Sequence, residues 1–235
     1  MNKDKALAYL EQNRLLHMDI IDPILRDSAE ILYANADGVL CRELVSNTYM
    51  ISCVSEDRGV ELLGSLGRQE LYCVHQRYLY DFLLQEYPDL DSFACYQSVY
   101  EKHERPPKSS PRLEIRTLGS EAIDIVFKNY TAFADYEYIK ARLANKALFG
   151  GYLEDQICGF IGTHEEGSIG MLEVLDGYKR QGFGSELLMF MTSRFLDSGQ
   201  TPFGQIALDN EASKALNRKL GYTISEDLLY WVFSV

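Results

Sequence analysis

Met171-Leu-Glu-Val-Leu-Asp-Gly-Tyr-Lys-Arg-Gln-Gly-Phe-Gly-Ser185 joins a strand-like run, a short basic loop and the start of an apolar helix. The strand is expected to end near Val174, and the loop then carries two bases and two glycines. Gly182 and Gly184 have no Cβ, so the backbone can curl and bring successive N–H groups close to a ligand. Those N–H groups open a helix, whose N-terminus carries partial positive charge. A pyrophosphate is the ligand such a place suits best. Lys179 and Arg180 add charge, and Ser185 adds a hydroxyl that can double as a first-turn cap.

Outward from this stretch the apolar periodicity is clear. Residues 184–197 place Leu187, Leu188, Met191 and Phe195 on one helical face. FGQIAL (203–208) reads as a strand, and NEASKALNRKL as a helix with Ala212, Ala215, Leu216 and Leu220 inward, stopped by Gly221. LLYWVFSV closes the sequence as a buried strand. Upstream, LEIRTL (113–118) is a short strand, and residues 120–146 are helical in two pieces broken near Phe133–Asp135. Three strand-like runs follow, separated by Glu-Asp and Glu-Glu-Gly turns, which predicts an antiparallel meander. The order is β-α-α-β-β-β-α-β-α-β, an α+β pattern with one parallel crossover at its centre.

ERPPKSSP (104–111), with three prolines and two serines, reads as an extended linker. It divides the chain into residues 1–103 and 112–235. The first part repeats the pattern of the second: TYMISCV, DRGVELLGSL, ELYCVH, RYLYDFLLQEY and FACYQSVYE follow the strand-helix-strand-helix-strand order of residues 168–234.

The composition of the 235 residues, 46% hydrophobic and 25% charged, is that of a globular protein. No run approaches the roughly 18 apolar residues of a membrane span, and MNKDKALAYLEQNR resembles neither a secretory signal nor a transit peptide. A cytoplasmic protein is expected. The five cysteines lack CxxC spacing and the four histidines are far apart, so no disulfide framework and no metal site is expected. Net charge is −12, with 11 bases and 18 acids up to Pro111 and 12 and 17 beyond it. Such a surface repels phosphate backbones and excludes nucleic acid or an anionic membrane as partner, while favouring a cationic amine.

Two other phosphate loops do not fit. A Walker A loop needs Lys-Ser/Thr after its last glycine, and Ser185-Glu186 stands here; a dinucleotide fingerprint needs a small residue where Leu187 stands. The loop instead resembles the pyrophosphate signature of GNAT acyltransferases, Gln/Arg-x-x-Gly-x-Gly/Ala, here Lys179-Arg180-Gln181-Gly182-Phe183-Gly184 preceded by Val174 and Tyr178. Asn210-x-x-Ser213-x-x-Leu216-x-x-x-Leu220-Gly221-Tyr222 resembles the family's second block. Residues 167–172, 199–203 and the terminal Leu-Tyr-Trp-Val-Phe resemble the FR47-like and glycine N-acyltransferase branch, as do Gly38-Val-Leu40, Val74-His-Gln76 and Gln97-Ser-Val-Tyr100 in the first half.

The resemblance implies a GNAT fold, a mixed and mostly antiparallel sheet flanked by helices, in two tandem domains with the N-terminal one degenerate. At its corresponding N-terminal site, Ser55-Glu-Asp-Arg-Gly59 has one glycine and two acids, and no cofactor is expected there. It implies acetyl-CoA or another acyl-CoA as co-substrate, without metal. The acceptor would be a primary amine of a small molecule or amino acid. The backbone of Leu172 and Val174 would pair with the pantetheine, and Lys179, Arg180, Gln181, Gly182, Phe183, Gly184, Ser185 and Asn210 would complete the cofactor site.

Two catalytic positions depart from the branch. Its glutamate position is Ser168 here, which leaves Glu173, the nearest carboxylate in the strand, as candidate base, or Glu165 and Glu166 acting through a water. Many GNAT domains place a tyrosine acid where Asn217 stands here, leaving Tyr222 or a water. These departures keep a second reading open, a non-catalytic acyl-CoA-binding or regulatory module.

Overall fold

The computed structural model describes residues 2–106, 112–130 and 135–234. In chain order the elements are helices α1 (Asn2–Leu10) and α2 (Met18–Leu25), strands β1 (Ala29–Asn35), β2 (Gly38–Glu43) and β3 (Tyr49–Cys53), α3 (Glu56–Leu66), β4 (Leu71–Val74), α4 (Arg77–Glu86) and β5 (Asp91–Val99). Then come β6 (Glu114–Thr117), α5 (Ile123–Asn129), α6 (Tyr136–Ala144), β7 (Leu148–Leu153), β8 (Gln156–Thr163), β9 (Ile169–Val174) and α7 (Phe183–Asp197). β10 (Phe203–Ala207), α8 (Glu211–Leu220) and β11 (Thr223–Phe233) end the series. This is an α+β fold in which the ladders β1–β2, β2–β3, β4–β11, β11–β5, β6–β7, β7–β8 and β8–β9 are antiparallel and the ladder of β3 with β4 is parallel.

Two compact units form, and neither is continuous in sequence. The first takes Met1–Val99, Gln205–Lys214 and Thr223–Val235; the second takes Tyr100–Gly204 and Ala215–Tyr222. The linker expected at 104–111 marks a position along the covalent chain, and residues 107–111 of it lie outside the described residues.

In the first unit the sheet order is β1-β2-β3-β4-β11-β5-β10. The last strand of the sequence pairs antiparallel with both β4 and β5, with Tyr230 opposite Val74 on one side and Ala94 on the other. The strand-helix-strand-helix-strand order expected for residues 48–101 is present as β3-α3-β4-α4-β5. Leu40, Ile51, Tyr72, Val74, Leu79, Leu83 and Val232 form the core between sheet and helices.

In the second unit the sheet order is β6-β7-β8-β9, all antiparallel. The expected meander is there. Its β7–β8 turn is Glu154-Asp155, both with positive φ (49° and 65°), as a two-residue hairpin requires. The two helical pieces are α5 and α6, and α6 starts on Asp135, whose side chain accepts from Tyr138 N–H at 3.0 Å. The expected break near Phe133 falls on 131–134, outside the described residues.

Strand alternation gives this sheet two apolar faces. Cys158, Ile161 and Phe149 pack with Leu187, Leu188 and Met191 of α7; Leu148, Phe160 and Met171 pack with Val126 and Ile139 of α5 and α6. One expectation changes. β9 and β10 were expected to form a parallel pair across α7, but β9 ends the four-stranded sheet and β10 ends the seven-stranded one. At Gly204 the backbone approaches Ile169 so closely that a Cβ would meet its carbonyl oxygen at 2.4 Å, yet no ladder follows. The outer edge of β9 from Met171 onward is left without a strand partner among the described residues.

Candidate functional site

The loop after β9 is shaped by residues in the left-handed region: Gly177 (φ 89°), Arg180 (61°) and Gly182 (91°). Gly182 stands at the N-cap of α7, and no side chain caps that helix. Its carbonyl accepts from Ser185 N–H at 3.0 Å and Glu186 N–H at 3.2 Å, so the N–H groups of Gly182, Phe183 and Gly184 are left without a protein acceptor among the described residues. A helix N-terminus in this state is a place for an anion. The Gln181 side chain braces the turn by donating to Gly177 O at 2.9 Å, and Tyr178 OH donates to Gln156 at 2.8 Å. Phe183 is 1% exposed as a whole residue, and its ring packs in the core. Gly184 lies against Val174 and Leu216, 3.5 and 3.7 Å from where a Cβ would be, so a methyl fits there sterically.

The two bases of the loop differ. Lys179 is already engaged by Asp176 at 3.0 Å and Glu173 at 3.6 Å; Arg180 is exposed. Sequence reasoning missed a third cation. Arg112 lies 4.5 Å over the Phe183 ring and donates through its guanidinium to Gln181 O. Nothing in the sequence links it to the loop, because the two are 69 positions apart.

β9 contains a bulge that re-aims its side chains. Phe160 opposes Glu173 and Gly162 opposes Gly170, so Met171 and Leu172 together face Ile161, with Met171 at φ 52°. Leu172 and Val174 then face α7, while Glu173 shares the face of Phe160 and Tyr130. Burial raises the Glu173 carboxyl above the ordinary range, against the opposing pull of Lys179. Burial, then the Glu166 and Glu173 carboxylates, pushes Tyr130 up to about 12.

Glu166 is nearly buried, and the Ser168 hydroxyl, at the position of the branch's glutamate, donates to it. Glu165 approaches Arg142 at 3.9 Å. His164 is held by Tyr138 at 2.6 Å and pulled below its ordinary value by burial, then by Arg142. Tyr222 OH is committed to Thr192 at 2.6 Å inside the core. Asn210, in the first unit, caps α8 by accepting from Ser213 N–H at 2.9 Å.

The N-terminus of α3, where the first half has Ser55-Glu-Asp-Arg-Gly59, is built otherwise: Ser55 caps it, and Glu56 and Asp57 occupy its first turn.

The first unit gathers a polar cluster that the sequence did not foretell. Asp19, Cys73 and His75 bring their ligand atoms within 4.8 Å of one another, all buried, although the sequence spacing of the histidines and cysteines predicts no metal site. The carboxylate of Asp19 accepts from His75 Nε2 (2.9 Å), Ile20 N–H (3.1 Å) and Cys73 Sγ (3.3 Å). The other nitrogen of His75 faces Ile51 O at 3.0 Å, so each ring nitrogen has an acceptor, which favours the protonated ring beside Asp19. Burial alone would lower His75, but the Asp19 carboxylate and its hydrogen bond more than offset that and leave it above the ordinary value. His17, stacked edge-on at 5.4 Å, is pushed down to about 4 by burial and then by that neighbouring charge. Its Nε2 faces the Ser52 hydroxyl at 2.9 Å. A cavity of about 490 Å³ opens beside the two histidines, lined also by Tyr9, Gln76, Tyr78 and Tyr230.

Residues 148–232 match the family described as FR47-like protein. No curated protein matches the sequence. Among solved structures, a Drosophila protein is similar at 19% identity and TM-score 0.63, over 84% of this chain and 73% of that one. An acetyltransferase of the GNAT family from Colwellia psychrerythraea is similar at 14% identity and TM-score 0.54, over 97% of each chain. A GCN5-related N-acetyltransferase from Kribbella flavida is similar at 11% identity and TM-score 0.55, over 98% and 95%. The FR47-like match covers the loop, β9 and α7, and the structural likenesses show that the fold is that of GNAT proteins.

Proposed function

We propose that the chain is an acyl-CoA-dependent N-acyltransferase, acetyl-CoA being the first donor to try, acting on a primary amine of a small molecule or amino acid. One observation carries this: among the described residues, α7 begins on a left-handed Gly182 with no side-chain cap, directly after a β9 edge that lacks a strand partner. The N–H groups of Gly182, Phe183 and Gly184 suit a pyrophosphate, with Arg180, Gln181 and Ser185 around them and Lys179 available once it leaves its acids. The backbone of Leu172 and Val174 suits the amide-rich arm of the donor, which would add to the edge like a strand. An N–H of Leu172 or Glu173 would polarise the thioester carbonyl.

In the reaction the amine nitrogen bonds to the carbonyl carbon, the carbon–sulfur bond breaks, and the amine gives up a proton while the thiolate takes one. Glu173 is the proposed base, since burial raises its carboxyl and the bulge turns it to the face of Tyr130. The pair with Lys179 favours the second reading, an acyl-CoA-binding module without turnover, because that contact satisfies Glu173. The cytoplasm is the compartment proposed for this activity; all five cysteines are buried and outside any disulfide, as reduced thiols there would be. Among the described residues no helix is long and apolar enough to cross a membrane.

A thiol-release screen of amino acids, polyamines and other small amines with acetyl-CoA separates the readings. Amine-dependent release of CoA supports transfer. Tight donor binding with no release from any amine supports the module.

A further inference from the structure

Arg112 precedes β6, and its side chain reaches the loop in three ways. The guanidinium donates to the carbonyl of Gln181, stacks 4.5 Å above the ring of Phe183, and is the nearest group, at 3.4 Å, to where a Cβ on Gly182 would stand. Its Nε also approaches Glu186 Oε1 at 3.3 Å. The main chain joins in: the N–H groups of Arg112 and Leu113 both donate to Glu186 Oε2, at 2.8 and 3.0 Å.

Two consequences follow from elementary geometry and charge. A trans peptide points its carbonyl and its N–H to opposite sides. Holding the Gln181 carbonyl on the guanidinium therefore turns the N–H of Gly182 to the other side of that peptide. The second consequence concerns Glu186. An acid in the first turn of a helix opposes an anion at the same terminus, and this one has a side chain only 10% exposed. Arg112 supplies the compensating charge, and two backbone donors hold the carboxylate in place.

Acyl-CoA at this loop, as proposed above, is presupposed. We propose that Arg112 is a positioning residue of that site: it orients the Gln181–Gly182 peptide and cancels the Glu186 charge, so that the N–H groups opening α7 can take the donor's pyrophosphate.

The test is calorimetric titration of acetyl-CoA into the full chain and into Arg112→Ala, Arg112→Lys, Glu186→Gln and the double variant Arg112→Ala/Glu186→Gln, with the melting temperature of each followed in parallel. Loss of a charge-assisted contact predicts that Arg112→Ala raises the dissociation constant about 10-fold or more. Arg112→Lys, which keeps the charge without the fork, should fall between that and the parent. Glu186→Gln should bind at least as tightly as the parent, and the double variant should recover part of the affinity that Arg112→Ala loses. That recovery distinguishes charge compensation from a mere strut, which removal of the acid would not repair. Where an amine substrate is in hand, KM for acetyl-CoA should rise while kcat holds. Parent affinity in folded Arg112→Ala, or a double variant no better than the single one, overturns the inference and leaves the acyl-CoA site standing. A parent chain that binds no acetyl-CoA takes both away.

Discussion

Glu173 sits between two demands: burial raises its carboxyl, and Lys179 at 3.6 Å lowers it again, with burial prevailing. If it accepts the amine proton, Glu173→Gln should lower turnover about 10²-fold or more while leaving acetyl-CoA affinity unchanged. The acidic limb of the parent's pH–rate profile should lie above the usual carboxylate range, since activity falls as Glu173 is protonated, and the variant should lack that limb. Normal turnover with an unchanged profile would pass the role to Glu166, through the Ser168 hydroxyl it holds. The two histidines of the first unit give a prediction about stability. His17 drops from 6.5 to about 4 on folding, so the neutral form is favoured; its contribution is present above pH 6.5 and is lost as pH falls toward 4, by roughly 3 kcal/mol. His75 is raised, so its contribution is present below pH 6.5 and is lost as pH rises through its folded value. Denaturation midpoints followed by tryptophan fluorescence should therefore peak near pH 6.5, and His17→Gln should flatten the acid side only. The glycines and bases of the loop were legible in the sequence, because a phosphate loop is a local pattern. Arg112 and the Asp19–His75 pair were not, because 69 and 56 residues separate the partners and no local spacing encodes such contacts.

Among the elements, β8, β9 and α7 fix the site, and glycines set how closely they approach. A Cβ on Gly159 would meet the Glu173 carbonyl oxygen at 2.5 Å and Val174 Cα at 3.1 Å, both backbone atoms that cannot swing aside. Gly159→Ala should therefore cost about 1–3 kcal/mol in chemical denaturation, and should weaken acetyl-CoA binding by shifting the strand that leads into the loop. Gly64, exposed in the last turn of α3 with nothing within 4 Å, makes the opposite case. Gly64→Ala should gain about 0.4–1 kcal/mol and leave binding alone. The helices and strands of residues 112–234 were readable because each buries one face and so carries a clean period. α2 was not read: Asp19, Asp22 and Pro23 interrupt its apolar run, and nearly every side chain in it is buried, so no polar face marks the helix. The bulge at Met171 was also invisible beforehand, since it arises from β8 pairing and not from a turn residue.

At the scale of the whole molecule, the order of elements and the pairing of strands carry different information. β3-α3-β4-α4-β5 and β9-α7-β10-α8-β11 follow one order, which supports the proposal that the chain holds two tandem GNAT-like halves, the first degenerate. Pairing is not shared: β3 and β4 form a parallel ladder, whereas β9 and β10 belong to different sheets. The position of β11 between β4 and β5 could not be read from the sequence, because its alternation fits an antiparallel neighbour on either side without naming it. The account stands or falls on the loop at α7. Titration calorimetry of acetyl-CoA against the full chain and a folded Gly184→Asp variant tests it most directly, since a Cβ at 184 meets only ordinary contacts while the added carboxylate opposes an anion at the helix N-terminus. One site per chain in the parent and no measurable binding in the variant is the predicted result; two sites, no binding by the parent, or equal affinity in the variant would contradict it.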